Sequence, residues 1–506
     1  MFNWQNQLYY GDNLQILREY IQDESIDLIY LDPPFNSNRN YNVLFKDESG
    51  HESEAQITAF EDTWHWDRIA EDTYHELIEN APAKVSAMIG ALRQFIGTNQ
   101  VMAYLVMMTI RLIELHRVLK STGSLYLHCD PTASHYLKIV LDTIFDIRHF
   151  RNEIIWHYSG WNAKLENHFN KRHDVLLFYS KSDIQLFNSY SISWESENEY
   201  VKIRKQKIRI DENDDKYVLS DRGSGKRVKR YLRDAMDYGK PIDDVWEIPK
   251  INNSSKEYLG YPTQKPIELL ARIIESCSDE NDIILDPFCG CGTAIHTAQK
   301  LKRRWIGIDI THLSISLLKY RLKNAFNLIE KKDYNVIGEP ISINSAQELA
   351  KENRYQFQWW ALSLVQAKPI NGDGKKGKKG KDRGIDGVIN FIDIGNEKPQ
   401  KILIQVKSGK VKSGDIRDLR GTIEREKAAI GIFITLEEPT RDMNKEAVSS
   451  GYYKSVFGNQ EYPKIQILTI KQLLDGDKIQ MPPIRRTFKE AKKELKENKS
   501  GQKDLF

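Results

Sequence analysis

Two short apolar runs, each stopped by an aspartate and a proline, constrain this chain more than any other feature. The first, SIDLIYLDPPF, begins at residue 25, and the second, NDIILDPFCGCGTA, begins at residue 281. A nearly continuous apolar run that ends in a turn suits a parallel strand buried on both faces better than a helix. Asp32 and Asp286 therefore fall at the carboxyl ends of two buried strands.

The stretches around these runs alternate between strand and helix, which predicts an α/β fold with a mainly parallel sheet. Residues 101–119 have helical length and period and lead through STG into the strand-like SLYLHCD at 124–130. A helix over 133–145 and strands at 152–158 and 173–180 follow. The alternation resumes at Pro266 with a helix, the strand 281–286, a glycine-rich turn, a helix near 293–301 and a strand over 303–310. Between 185 and 260 it breaks down. There the basic clusters KIRKQKIRI (202–210) and GKRVKRYLR (225–233) flank the acidic DENDD, as expected of an inserted module.

At 506 residues the chain exceeds one hydrophobic core, and at roughly 150 residues per domain it should hold about three units. The boundaries read as 1–184 and 261–330 for two halves of one sheet, 185–260 for the insertion, 345–475 for a further domain and 484–506 for a lysine-rich tail. Within the further domain, NGDGKKGKKGKDRG (371–384) is a basic loop that cannot build a core.

Lysine plus arginine (74) nearly balances aspartate plus glutamate (71), so net charge does not identify a partner. Cys129, Cys277, Cys289 and Cys291 lack zinc spacing and read as reduced thiols. The N-terminus shows no secretory pattern, and no run approaches the roughly 18 apolar residues of a membrane span. The expectation is a soluble, cytoplasmic protein.

Asp32-Pro33-Pro34-Phe35 combines an acceptor carboxylate, two rigid prolines and an aromatic face at a strand end. An exocyclic amine on a base is a poor nucleophile because its lone pair is delocalised into the ring. Acceptors on its N–H bonds, here Asp32 and the Pro33 carbonyl, help to free that pair, while Phe35 can stack on a base swung out of the duplex. In the second run, Gly290 and Gly292 let backbone pass close to a ligand beside a helix N-terminus. Asp309 then ends the next strand, where an acidic side chain can bind ribose hydroxyls. A nicotinamide site is the rival reading, although GCGTA departs from GxGxxG.

Taken in order, GDNL (11–14), DPPFNSNRNYN (32–42), TQKP (263–266), DPFCGCGT (286–293) and Asp309 resemble the amino-group DNA methyltransferases of the permuted beta class. The resemblance covers about residues 6–325 and implies a Rossmann-like sheet that binds S-adenosylmethionine. It implies that Asp32, Pro33, Pro34 and Phe35 hold the target base. It further implies that Asp286, Phe288, Gly290, Gly292 and Thr293 line the methionine side of the cofactor and that Asp309 takes its ribose. Lys265 would hold the cofactor carboxylate, and Asp12 would lie near its adenine or serve its own turn. An aspartate opening the tetrapeptide favours adenine N6, with cytosine N4 as the alternative. Residues 185–260 stand where the class carries its target-recognition region. The partners implied are double-stranded DNA and either a second copy of the chain or a restriction-system subunit.

Farther on, Asp386 precedes one predicted strand, and Gln405 and Lys407 lie two apart on the next, so 405 and 407 share a face. With IRDLRGTI (416–423) and GIFIT (431–435) this region resembles the restriction-endonuclease fold of the Mrr type, whose signature carries glutamine before the lysine. The resemblance implies Mg²⁺ held by Asp386, with Lys407 orienting water. Two readings follow. In one, a single chain both methylates and cleaves DNA; in the other, a solitary methyltransferase carries a nuclease-like domain that only grips DNA.

Overall fold

The computed structural model describes residues 4–34, 65–160, 164–221, 227–252, 255, 257–259, 261, 263–369, 384–391, 393, 400–455 and 460–482. Phe35, the 36–42 run, most of the basic 371–384 loop and the 484–506 tail lie outside these residues.

Nine strands form the first sheet: β1 (Asn6–Tyr10), β2 (Ile26–Leu31), β3 (Leu119–Cys129), β4 (Phe150–His157), β5 (His173–Ser180), β6 (Val245–Glu247), β7 (Ile283–Asp286), β8 (Arg304–Asp309) and β9 (Tyr334–Ile337). Their order is β6-β4-β5-β3-β2-β7-β8-β1-β9. All neighbours run parallel except β5, which is antiparallel to β3 and β4. Successive strand residues point to opposite faces, and both faces of β2 are covered. Ile29 and Leu31 enter one core with Leu17, Leu112 and Leu137, whereas Leu28 and Tyr30 enter another with Ile273, Ile295 and Leu318. The uninterrupted apolar spelling of β2 follows directly from this double burial.

One strand is longer than expected. The STG placed between the helix and the strand at 124–130 belongs to β3 itself. Leu119 pairs with Ile26 and Ser124 with Leu28, and the surplus residues bulge between them. A Cβ on Gly123 would stand 2.9 Å from the Asp27 carbonyl oxygen, so only glycine fits where the bulge crosses β2.

The inserted module folds on a small core of its own, made by Trp194, Tyr200, Val218, Leu232 and Ala235. It carries an antiparallel ribbon of Arg209–Ile210, Lys216–Asp221 and Arg227–Tyr231, from which Arg209, Arg227 and Lys229 are exposed. Both basic clusters of the sequence thus reach this ribbon.

A second sheet has the order β10 (Lys368–Pro369), β11 (Gly387–Phe391), β12 (Gln400–Lys407), β13 (Ile430–Thr435) and β14 (Ile465–Thr469). The first three are antiparallel and the last three parallel. The Arg354–Leu364 helix joins the two sheets. Its Phe357, Trp360, Ala361 and Leu362 pack into the second domain, while Trp359 packs with Leu259, Cys291, Leu313 and Leu317 of the first. Among the described residues no helix is long and apolar enough to cross a membrane.

Candidate active site and cofactor crevice

β2 and β7 lie side by side, with Leu28 opposite Ile284 and Ile29 opposite Leu285. The sheet grows from β2 towards β3 on one side and from β7 towards β8 on the other. That reversal opens a crevice beyond the carboxyl ends of the strands, where α/β sheets bind ligands. Asp32 and Asp286 stand at its two lips.

The Asp32 side chain is 15% exposed, and its Oδ2 is ion-paired with Lys265 Nζ. Its Oδ1 is buried and accepts no hydrogen bond among the described residues. A buried acceptor left open costs about 1–3 kcal/mol, so Oδ1 stands ready for a donor. Pro33 is buried and Pro34 exposed. Lys265, itself buried, enters from just before the Ile267–Cys277 helix and bridges the two halves of the sheet. Besides Asp32, its ammonium donates to the Thr263 carbonyl at 3.4 Å.

Asp286 is buried and accepts from the Phe288 amide at 3.1 Å. Burial pushes its carboxyl well above the usual range, with the nearby charges of Asp32 and Asp309 adding to the shift. Asp309 accepts from the Gly290 amide at 2.9 Å through Oδ2 and from the Thr311 amide at 2.9 Å through Oδ1. Burial raises its carboxyl as well. The Asp309 side chain therefore clamps the glycine loop to the end of β8. Phe288 is half-buried on the edge of the first core.

Gly290 and Gly292 have φ of 49° and 74°, in the left-handed region. A Cβ on Gly292 would lie 2.4 Å from Leu318 Cδ1. Gly292→Ala is therefore expected to cost about 2–4 kcal/mol, from backbone strain plus overpacking. Urea unfolding together with cofactor titration checks this: an unchanged midpoint would mean that the loop tolerates a side chain.

Two further predicted residues are tied into the frame around the loop. Thr293 is buried, and its Oγ1 accepts from Arg321 at 3.1 Å beneath the loop. Asp12 caps the Asn13–Tyr20 helix, accepting from the Leu14 amide at 2.8 Å, and pairs with the buried Arg111 at 2.8 Å. Sequence reasoning passed over the residues that complete this brace. Asn13 donates to the Pro287 carbonyl at 2.8 Å, and Arg111 holds Asn13 at 2.6 Å. An arginine interrupting the apolar run VMAYLVMMTIRL (101–112) was the available signal.

In the second domain, Asp386 stands just before β11, and Gln405 and Lys407 lie on β12, which pairs with it. Asp386 Oδ1 accepts from Gln358 Nε2 at 2.9 Å and Oδ2 from the Val406 amide at 2.6 Å. Gln405 Oε1 is buried with no hydrogen-bond partner among the described residues, and Lys407 Nζ lies 3.9 Å from Asp415. Gln358, which the sequence reading missed, meets Asp386 from the preceding helix and supplies an amide. Among the described residues no group of three or more His, Cys, Asp or Glu side chains is placed to hold a metal. One carboxylate with both oxygens already bonded is a poor fit for Mg²⁺, which seeks open anionic oxygens.

The first crevice is different in kind. Three carboxylates and one buried lysine converge there, which suits S-adenosylmethionine with its sulfonium, its ammonium, a ribose diol and a carboxylate. Asp32 Oδ1 keeps acceptor capacity that no described residue uses.

Comparison with known proteins agrees. Residues 26–319 match the N6_N4_Mtase family model, described as DNA methylase, and residues 368–475 match NACHT-associated inactive Restriction Endonuclease 1. The chain is 25% identical over 316 residues to the DNA adenine methyltransferase YhdJ of Escherichia coli (strain K12), covering 62% of this chain and 82% of that one. It is 24% identical over 313 residues to the Type II methyltransferase M.HpaI of Haemophilus parainfluenzae, covering 62% and 73%. Among solved structures it aligns with PvuII DNA methyltransferase (cytosine-N4-specific) at 13% identity and a TM-score of 0.35, covering 65% and 88%. With more than half of its length matched by one family model, the chain, whose methyl donor is S-adenosylmethionine, belongs to the N6_N4_Mtase family of DNA methylases.

Proposed function

We propose that this protein methylates N6 of adenine at a specific site in double-stranded DNA, as the modification activity of a restriction system. The observation that carries the reading is the buried, open Oδ1 of Asp32 at the lip of the crevice. When bound, S-adenosylmethionine supplies an electrophilic methyl group. The chain's own part is to orient the amine and to draw on its N–H bonds through Asp32 and the Pro33 carbonyl. Phe35 stacks on the extruded base, and the ribbon at 209–231 meets phosphates while neighbouring side chains read base edges. In the same reading Phe288, Gly290 and Gly292 line the methionine side of the cofactor and Asp309 receives the ribose, with Asp286 beneath. Lys265 binds the cofactor carboxylate or, as its ion pair suggests, steadies Asp32. An aspartate at the head of the tetrapeptide supports adenine over cytosine, and the printed name of YhdJ agrees.

For the second domain, the bonded carboxylate of Asp386 favours DNA binding without cleavage over a Mg²⁺-dependent nuclease. The word "inactive" in the name of its matching family points the same way. Modified-base sequencing of DNA from cells that express wild type, Asp32→Ala or Lys407→Ala tests both readings. One methylated adenine motif is expected with wild type and Lys407→Ala and none with Asp32→Ala. Methylated cytosine instead would overturn the choice of base. Cutting of unmodified plasmid by the purified wild-type protein with Mg²⁺ would restore the nuclease reading.

A further inference from the structure

Behind Asp32 lies a buried polar chain that neither the motifs nor the family match explains. His128, on β3, has no exposed surface and points to the face opposite Leu127 and Cys129. Its Nε2 is 3.4 Å from Asp174 Oδ2 on β5, and its Nδ1 is 2.9 Å from the Tyr30 hydroxyl and 4.0 Å from Asp32 Oδ1 on the β2 side. Tyr158 donates to Asp174 Oδ1 at 3.0 Å, and Trp156 of β4 meets the imidazole edge-on at 5.5 Å. The nearby cations are Lys265, paired with Asp32, and Lys250, which lies 3.6 Å from the centre of the Tyr158 ring. A fully buried histidine between two carboxylates, one of them with a buried oxygen that accepts no hydrogen bond among the described residues, is an arrangement for holding a proton.

We propose that His128, backed by Asp174, takes up through Asp32 the proton that the exocyclic amine sheds on methylation. The proposal rests on amino methylation but not on the choice of base. In the step, the amine nitrogen forms a bond to the methyl carbon while the carbon–sulfur bond breaks and its electron pair stays on sulfur. One N–H bond then breaks, and its proton goes to Asp32 Oδ1 and on to His128 Nδ1. In the tautomer the step requires, His128 Nε2–H is donated to Asp174 and Nδ1 accepts from Tyr30. Burial holds the Tyr30 phenol protonated, so its hydroxyl need only turn when Nδ1 gains its proton. The gap to Asp32 exceeds a hydrogen bond, and a swing of the carboxyl by about 1 Å closes it. Burial alone would raise the Asp174 carboxyl, yet the hydrogen bond from His128, with the charges of Lys265 and Lys250, holds it below the usual range, ready to steady an imidazolium. His128 and Asp174 act on the base only through Asp32 and are positioning residues.

Single-turnover methyl transfer to unmethylated plasmid DNA, followed in H₂O and in D₂O with radiolabelled donor, tests the proposal. His128→Asn is expected to slow the step about a hundredfold and to change the solvent isotope effect that the passing proton leaves on it, with donor affinity by calorimetry unchanged. Asp174→Asn, which removes the carboxylate behind the imidazole, is expected to slow the step and shift the isotope effect in the same sense. Should His128→Asn fail to fold, Asp174→Asn decides. A rate and an isotope effect unmoved in the folded variants overturn the proposal. Absence of methyl incorporation by wild type would instead count against amino methylation itself.

Discussion

Asp32→Ala is expected to lower the rate of methyl transfer by at least about 10³-fold, because in the proposed function its oxygen draws on the amine, and electrostatic groups of this kind carry the largest share of catalysis. The same change takes the carboxylate of Asp32 away from the Lys265 ammonium inside a buried setting. Breaking one side of a buried pair costs about 3–5 kcal/mol, so the variant should also melt earlier. The double variant Asp32→Ala with Lys265→Ala removes both charges. It is expected to recover much of the stability and none of the activity. Thermal melting beside single-turnover kinetics separates the two roles: activity that returned with stability would show that Asp32 only braces the fold.

Trp359→Ala should have the second large effect. The indole is 2% exposed and packs with Cys291 of the glycine loop and with Leu259, Leu313 and Leu317. Truncating a buried tryptophan costs about 3–5 kcal/mol. Here the resulting cavity opens against the loop that carries Gly290 and Gly292. Weaker S-adenosylmethionine binding is therefore expected along with lower stability, although Trp359 lies outside the matched methylase segment. Calorimetric titration at a temperature where the variant stays folded checks this, and wild-type affinity would mean that the loop is rigid without its neighbour.

Local sequence revealed those parts of the molecule that local physics decides. β2 and β7 were legible because strands buried on both faces must be apolar throughout, and the chemistry at their ends because aspartate before proline ends a strand. The reach of β3 was not, since STG is ordinary turn spelling and only the register of Ile26 and Leu28 makes it a bulge. Asp32, Asp286, Asp309 and Lys265 were legible as separate motifs. Their mutual arrangement depends on strand order, which no single segment encodes. Arg111, His128 and Gln358 escaped for the same reason. Each is one polar residue in an apolar or unremarkable stretch, and each gains its meaning from a partner 25 or more positions away.

The Arg354–Leu364 helix has two masters. Gln356 accepts from the His312 amide at 2.8 Å, close to Asp309, while two residues on Gln358 holds Asp386. Its tryptophans divide likewise, Trp359 towards the methylase and Trp360 towards the second sheet. For heredity this matters more than for chemistry. A recombination that exchanged the C-terminal domain at the apparent seam near residue 340 would carry away a wall of the cofactor loop, and one made after Leu364 would strand Asp386 without its amide. Viable crossovers must preserve the helix together with both of its neighbours, so lineages of this protein should inherit the two domains as a single unit.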